Sequence, residues 1–314
     1  MIFSGDIHVF ESWPRRKAPM VEASPTLLRS WIGGQLRTMR DAAGLSQADV
    51  ARHFQRSQAW PGNFENARES LPVARDMADL LRLYGHPERI EFFEAKRQEI
   101  KAGKTDWWST DVIGAAAPKW LDQLLGLETV ALVVETYDAM LPNGLVQTED
   151  TARAVIAGAV PSLAPDEVQR RAALRIARQA AWRGPRGDSP GLLVASVVDE
   201  TALRKPIGGS DVHRLQLRHL ADLAEAEPNI TIRLLPATTG AHPSMEGSFA
   251  LYRFPEVYQD PGVVYAENRH LGSYYRDTDQ IAESVQDMEI LTSLALPPDE
   301  SADRIRALAK ELYP

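Results

Sequence analysis

The 314-residue chain contains no cysteine. That excludes a disulfide framework, a thiolate-ligated zinc or iron–sulfur centre and a cysteine nucleophile. No apolar run approaches the roughly 18–20 residues that cross a bilayer as a helix, so no membrane partner is expected. The first residues, Met1-Ile2-Phe3-Ser4-Gly5-Asp6, lack a basic stretch followed by an apolar core, so no signal peptide is expected and the cytoplasm is the expected location. A Gly-rich phosphate loop, a His-Glu-x-x-His pair and a Gly-x-Ser-x-Gly elbow are all missing. The seven histidines show no two-ligand spacing on one helix; His213 and His219 are six apart and fall on different faces. Neither a metal nor a cofactor is therefore expected.

What is present is an ordinary globular composition, 44% hydrophobic and 25% charged, in a length that fits about two domains. The charge is unevenly spread. Residues 20–105 carry a net +2 and residues 1–19 a net +1, whereas residues 106–314 carry −11. An acidic body repels nucleic acid, so any contact with DNA belongs to the first third.

Residues 1–24 read as a flexible tail with little periodicity, and Met20 is an alternative start. From residue 25 to 100 the pattern is helical and closely punctuated. Ser24 and Pro25 open a helix whose Leu28, Ile32, Leu36 and Met39 share a face. Gly44 ends it. Ser46 caps the next, with Asp49 three residues on. Ser57 offers a third cap, Pro72 starts a fourth helix and Glu88–Ile100 form a fifth. Residues 101–118, with Trp107 and Trp108, read as a connector. Beyond it the texture is mixed: helices at 120–127, 148–159, 165–182, 212–226, 278–296 and 298–312 alternate with strands at 129–137, 191–198, 229–235, 248–254 and 263–267. The expected fold is α+β, with an all-α five-helix head at 25–100 and a mixed effector or partner-binding domain at 119–314.

In the head, Gly44-Leu45-Ser46-Gln47-x-x-Val50-Ala51 with the segment Ser57–Arg68 resembles the Cro/CI-type (XRE) helix-turn-helix family over about residues 27–84. The resemblance implies a recognition helix entering the major groove, DNA as partner, and a homodimer on paired half-sites. Gln47, Arg56, Ser57, Gln58, Asn63 and Arg68 are the expected DNA-contacting residues, because amides pair adenine edges and guanidiniums pair guanine or phosphate. The alternative is that they form a solvated rim. Pro61-Gly62 falls where the family has an apolar and a small residue, and Ala67 stands where it has Gly. With Ser57 as cap, Pro61 would interrupt the helix interior, which predicts a bent or damaged reading helix.

The body offers polar residues at strand ends: Glu135 and Tyr137, Asp199 and Glu200, Tyr265 and Glu267, with His242 in a Gly- and Pro-bounded loop. Polar groups at strand ends line clefts in sheet proteins. The expected ligand-binding set is Glu135, Tyr137, Asp199, Arg204, His242, Tyr265 and Glu267. If the protein is an enzyme, Glu135, Asp199, His242 and Glu267 are its acid–base candidates. The competing account is structural: Arg171, Arg178 and Arg204 neutralise these carboxylates. Leu141-Pro-Asn-Gly-Leu-Val-Gln-Thr148, Asp199-Glu200-x-x-Leu203-Arg204, Pro206-Ile-Gly-Gly209, Gly247-x-Phe249 and Val264-Tyr-x-Glu267 together resemble the domain of unknown function that follows such heads in many actinobacterial regulators. That resemblance implies an antitoxin-like transcription regulator tied to secondary metabolism, with a small partner protein or a small-molecule ligand. Asn268-Arg269-His270 departs from the small, neutral segment usual there. The alternative is an enzyme or ligand-binding protein built on the same scaffold, with a vestigial head.

Overall fold

A computed structural model describes residues 25–102, 119–183, 191–267 and 272–314. The tail at 1–24 with its Ser24 cap, residues 103–118 of the connector and the Asn268-Arg269-His270 segment lie outside the described residues, while residues 101 and 102 end the helix before it. The chain forms two compact units, one built on residues 22–114 with 122–130 and the other on 131–314 with 115–121.

In the first unit the regular structure of residues 25–102 is helical: α1 (Pro25–Ala42), α2 (Gln47–His53), α3 (Trp60–Glu65), α4 (Ala74–Leu83) and α5 (Ile90–Ala102). The apolar spacing of α1 delivers Leu28, Ile32, Leu36 and Met39 into the core, beside Val50, Phe64, Met77, Leu80, Leu81 and Phe93. Each fully buried side chain of this size contributes about 1.5–3 kcal/mol. The Ser46 cap forms as expected, in a reciprocal box with Asp49. At Gly33 α1 passes close against α3: a Cβ there would lie 2.3 Å from the Phe64 carbonyl oxygen.

The expectation for the third helix is corrected. It begins at Trp60, not after Ser57, and Ser57 makes no cap; Ala59 holds the N-cap position without a side-chain bond. The Trp60 N–H is met by the Ser57 carbonyl at 2.9 Å and the Asn63 N–H by the Ala59 carbonyl at 3.0 Å. Pro61 therefore sits in the first turn, where helical N–H groups have no intrahelical acceptor and a proline removes nothing. The helix is short, not broken.

Helix α6 (Lys119–Val130) follows. It runs through Thr129 and Val130, which the sequence pattern assigns to a strand. In the second unit the strands are β1 (Val133–Asp138), β2 (Leu193–Asp199), β3 (Ile230–Leu235), β4 (Phe249–Arg253), β5 (Val263–Glu267) and β6 (Gly272–Tyr275), and the helices are α7 (Glu149–Ala159), α8 (Pro165–Arg183), α9 (Ser210–Ala226), α10 (Thr278–Leu294) and α11 (Pro298–Leu312). They build one six-stranded sheet in the order β3-β2-β1-β4-β5-β6. The first three strands are parallel, and β4, β5 and β6 continue antiparallel from β1. The fold is α+β: a helical head, then a mixed sheet closed by C-terminal helices.

Alternation along the strands sorts the polar residues by face. Tyr137 pairs with Val197 and Phe249. These side chains, with Leu235, meet Met288 and Leu291 of α10 in one cluster, and Leu251 and Val264 meet Ile281 in another. Helix α10 thus covers that face. Thr136 pairs with Ser196 and Ala250, and Ala250 with Tyr265, which puts Thr136, Asp138, Ser196, Tyr265 and Glu267 on the opposite face. The outer edge of β3 is closed locally: Ser301 accepts the Leu234 N–H at 2.9 Å, and the Leu296 N–H donates to the Leu234 carbonyl at 2.9 Å.

Candidate functional site

The head presents its polar residues around α2 and α3. Arg56, Ser57, Gln58 and Arg68 are exposed, and Asn63 is half-buried. Arg56 reaches Asp76 at 3.2 Å and lies 5.7 Å from the Trp60 ring centroid. Asn63 donates to Glu69 at 2.7 Å. These are surface interactions, worth little against solvent and readily exchanged for a phosphate or base contact. Gln47 is placed differently. Its amide nitrogen donates to Glu65 at 2.8 Å, and a Cβ at Gly62 would lie 3.2 Å from its amide oxygen. Glu65 also accepts from Arg40 at 2.6 and 3.1 Å, with both side chains buried. Arg40 raises its own pKa through that pairing. Glu65 matches the helix-turn-helix pattern in the sequence, whereas its buried pairing with Arg40, 25 residues away, is set by the packing of α1 on α3. A hollow of about 490 Å³ lies beside the end of α2, between His53, Gln55, Arg75 and Arg82.

In the second unit the structure joins three of the expected residues. The C-terminal ends of β1 and β2 bring Tyr137 and Asp199 together, with the Tyr137 hydroxyl 3.3 Å from Asp199 Oδ2. His242, from the loop before β4, sets Nε2 at 3.4 Å from the same hydroxyl and 3.9 Å from Asp199 Oδ2. Its Nδ1 lies 2.7 Å from the Pro243 carbonyl. A carbonyl only accepts, so Nδ1 carries a hydrogen and the neutral ring offers Nε2 as acceptor. Tyr137 then has one proton and two acceptors. The Asp199 Oδ1 is held by the Thr201 N–H at 2.7 Å and its hydroxyl at 2.5 Å. Burial, then Asp199, pushes the Tyr137 phenol well above its ordinary range, so it acts as a neutral donor.

The other expected residues are elsewhere. Glu135 is central in β1 and pairs with Arg253 at 2.5 Å, not with Arg204. Arg204 binds Glu200 at 2.6 Å, not Asp199. Arg171 binds Glu167 on its own helix. Tyr265 and Glu267 lie on the far face of the sheet. One cleft bordered by Glu135, Asp199, Glu267 and His242 is therefore not what the sheet builds, because strand alternation divides the set.

One further group was missed. Asp138, at the end of β1 on the far face, is buried. It accepts hydrogen bonds from Ser196 at 2.8 Å, the Asn143 N–H at 3.0 Å and Thr136 at 3.4 Å. Burial without a counter-charge pushes its pKa up to about 7. Among the described residues no cluster of His, Asp and Glu has the arrangement of a metal site, and no helix is long and apolar enough to cross a membrane.

Residues 31–90 match a helix-turn-helix domain family. Residues 121–307 match a domain of unknown function, DUF5753. No curated protein and no solved structure matches the chain. The helix-turn-helix domain is that of a DNA-binding regulator, and its match spans the Arg40–Glu65 pair and the exposed rim of α3. With the DUF5753 match covering more than half its length, the chain belongs to the DUF5753 family, here placed behind a helix-turn-helix head.

Proposed function

We propose that the protein is a cytoplasmic transcription regulator of the antitoxin-like kind, in which the head binds DNA and the DUF5753 domain senses a small molecule or a small partner protein. The observation that carries the DNA-binding half is the helix-turn-helix geometry itself: a capped α2, a short α3 with Pro61 at a tolerated position, and Arg56, Ser57, Gln58 and Arg68 exposed around them. The sensing half rests on Tyr137, Asp199 and His242, a compact donor–acceptor set at parallel strand ends, where α/β sheets commonly bind ligands. Binding as a homodimer follows from the way such heads read paired half-sites about one helical turn apart.

Selection of bound duplexes from a random pool tests the reading. It predicts an enriched sequence with two related half-sites, lost in a protein carrying Gln58→Ala and Asn63→Ala. A pool that stays random after repeated selection at low salt contradicts it.

The gathered Tyr137, Asp199 and His242 favour one second reading, an acid–base enzyme on a regulator scaffold. Glu135 and Glu267 have no part in it. A location of the gene within a biosynthetic cluster supports that reading, while a small adjacent open reading frame supports the antitoxin-like one.

A further inference from the structure

Helix α10 buries Ile281, Met288 and Leu291 against the sheet. Its charged residues are Asp279, Glu283, Asp287 and Glu289, with no lysine or arginine among its 17 positions. Asp279 suits the positive end of the helix dipole. The other three lie beyond the first turn, where the dipole gives no reason for them. Asp279, Glu283 and Asp287 also follow one another four residues apart, so two like-charge contacts stack along one side, an arrangement that weakens a helix. Other surface helices answer such residues from within, as Arg170 answers Asp166 and Glu167. Here nothing does: among the described residues Asp279, Glu283 and Glu289 make no ion pair, and the Asp287 carboxylate is met by the Ser244 hydroxyl at 3.3 Å.

The same side of α10 continues as apolar surface. Ile290 follows Asp287 by three residues and Leu294 follows Ile290 by four, which keeps all five positions on one face. Ile290 is 37% exposed and Leu294 41%. The Ser244 bond brings the loop before β4 against the middle of that face, and Met245 beside it is 65% exposed. An acidic half-face thus runs into an apolar one. A second copy of this chain fits it badly, because acidic face would meet acidic face, and residues 106–314 carry −11 as a whole. DNA and anionic lipid are repelled for the same reason. A basic segment with an apolar side is complementary to both halves.

We propose that this face of α10, with Met245, is the docking surface for a basic amphipathic helix of a small partner protein. The proposal gives the chemistry of the partner named in the regulator reading, and rests on that reading. Lysines or arginines of the partner meet Asp279, Glu283 and Asp287. Its apolar side chains cover Ile290, Leu294 and the adaptable thioether of Met245.

Fluorescence anisotropy of a labelled lysine–leucine peptide, with leucines at helical spacing, titrated with the full chain tests the surface. Saturable binding that weakens with salt is expected, and none with a glutamate–leucine peptide of the same spacing. Asp279→Asn with Glu283→Gln is expected to weaken binding several-fold at low salt. Ile290→Ser with Leu294→Ser is expected to weaken it several-fold at low and high salt alike. All four side chains are exposed, and the first pair of changes removes a like-charge contact, so both variants are expected to fold. The proposal is overturned if the lysine peptide does not bind, if the glutamate peptide binds as well, or if either double variant binds undiminished, which is the mark of diffuse attraction to the acidic body. Self-association of the wild type that Ile290→Ser with Leu294→Ser abolishes assigns the face to a second copy and overturns it too. DNA binding is measured on the same samples. Failure of the peptide with DNA binding intact counts against this surface alone, whereas absence of DNA binding counts against the regulator reading.

Discussion

Gln47 donates its side-chain amide to Glu65 across 2.8 Å, and through Glu65 it is tied to Arg40. The start of α2 is thereby locked to α3. In sequence Gln47 is an expected DNA reader; in the structure it is first a strut, with its amide oxygen beside Gly62. Removing the carboxylate leaves Arg40 buried with Asp41 and the Leu45 carbonyl as its remaining partners. Breaking a buried pair from one side costs about 3 kcal/mol or somewhat more. Glu65→Ala should lower the unfolding free energy of the head by that order in urea titrations. A loss under about 1 kcal/mol would show that the pair is dispensable.

Two positions after short helices adopt left-handed backbone without glycine: Gln55 at φ 53° after α2 and Ala67 at φ 54° after α3. A side chain in that region costs roughly 1–2 kcal/mol, which glycine avoids at some cost in unfolded-state entropy. Ala67→Gly is therefore expected to stabilise the head by up to about 1 kcal/mol, read as an upward shift in its thermal midpoint. A downward shift would mean that the strain is compensated by contacts of the Ala67 methyl.

The opposite experiment applies at Gly33. A Cβ there would meet two backbone carbonyl oxygens of α3, those of Phe64 at 2.3 Å and Glu65 at 2.9 Å. Backbone cannot yield as a side-chain tip can. Gly33→Ala should destabilise by about 1–3 kcal/mol despite the better helix propensity of alanine. A stabilised variant would contradict the close packing of α1 on α3.

Much of this architecture is legible in the sequence, and the failures share a cause. The four–four–three spacing of Leu28, Ile32, Leu36 and Met39, the Ser46–Asp49 box and the β-branched runs of β2 and β3 are local signals that the tertiary structure leaves alone. Pro61 misled because its meaning depends on where the helix starts, and Ser57 is a plausible cap that the chain does not use. Thr129 and Val130 look like strand yet complete α6, where packing overrides their weak propensity. The candidate site is legible in part. Residue type and strand-end position find Tyr137, Asp199 and His242. They cannot say that Glu135 faces Arg253, or that Tyr265 and Glu267 belong to the other side of the sheet, since both depend on register and neighbours. Asp138 is defined by what surrounds it, and a linear pattern carries no trace of that.

Asp138 gives the pH prediction. Its carboxyl titrates near 7 in the folded chain against an ordinary value near 3.9 in the unfolded one. Between about pH 4 and pH 7 the folded state holds a proton that the unfolded state has released. The group's contribution to stability therefore falls as pH rises through that window, and the full penalty is present above about pH 7. Asp138→Asn keeps an acceptor oxygen for Ser196 and the Asn143 N–H but cannot ionise. It should exceed the wild type in stability by clearly more at pH 8 than at pH 5, by chemical denaturation at both pH values. An equal difference at the two values would show that Asp138 does not titrate in this window.

The central claim is that the head still binds DNA, with Arg56 and Arg68 on the exposed rim facing phosphate or bases. The most direct measurement is the affinity of the full chain for duplex DNA across a series of salt concentrations. The account predicts binding that weakens linearly in log–log form with salt, and a slope reduced by about one in Arg56→Ala and again in Arg68→Ala if each contacts a phosphate. No salt-dependent binding at low ionic strength, or slopes unchanged in both variants, would contradict it.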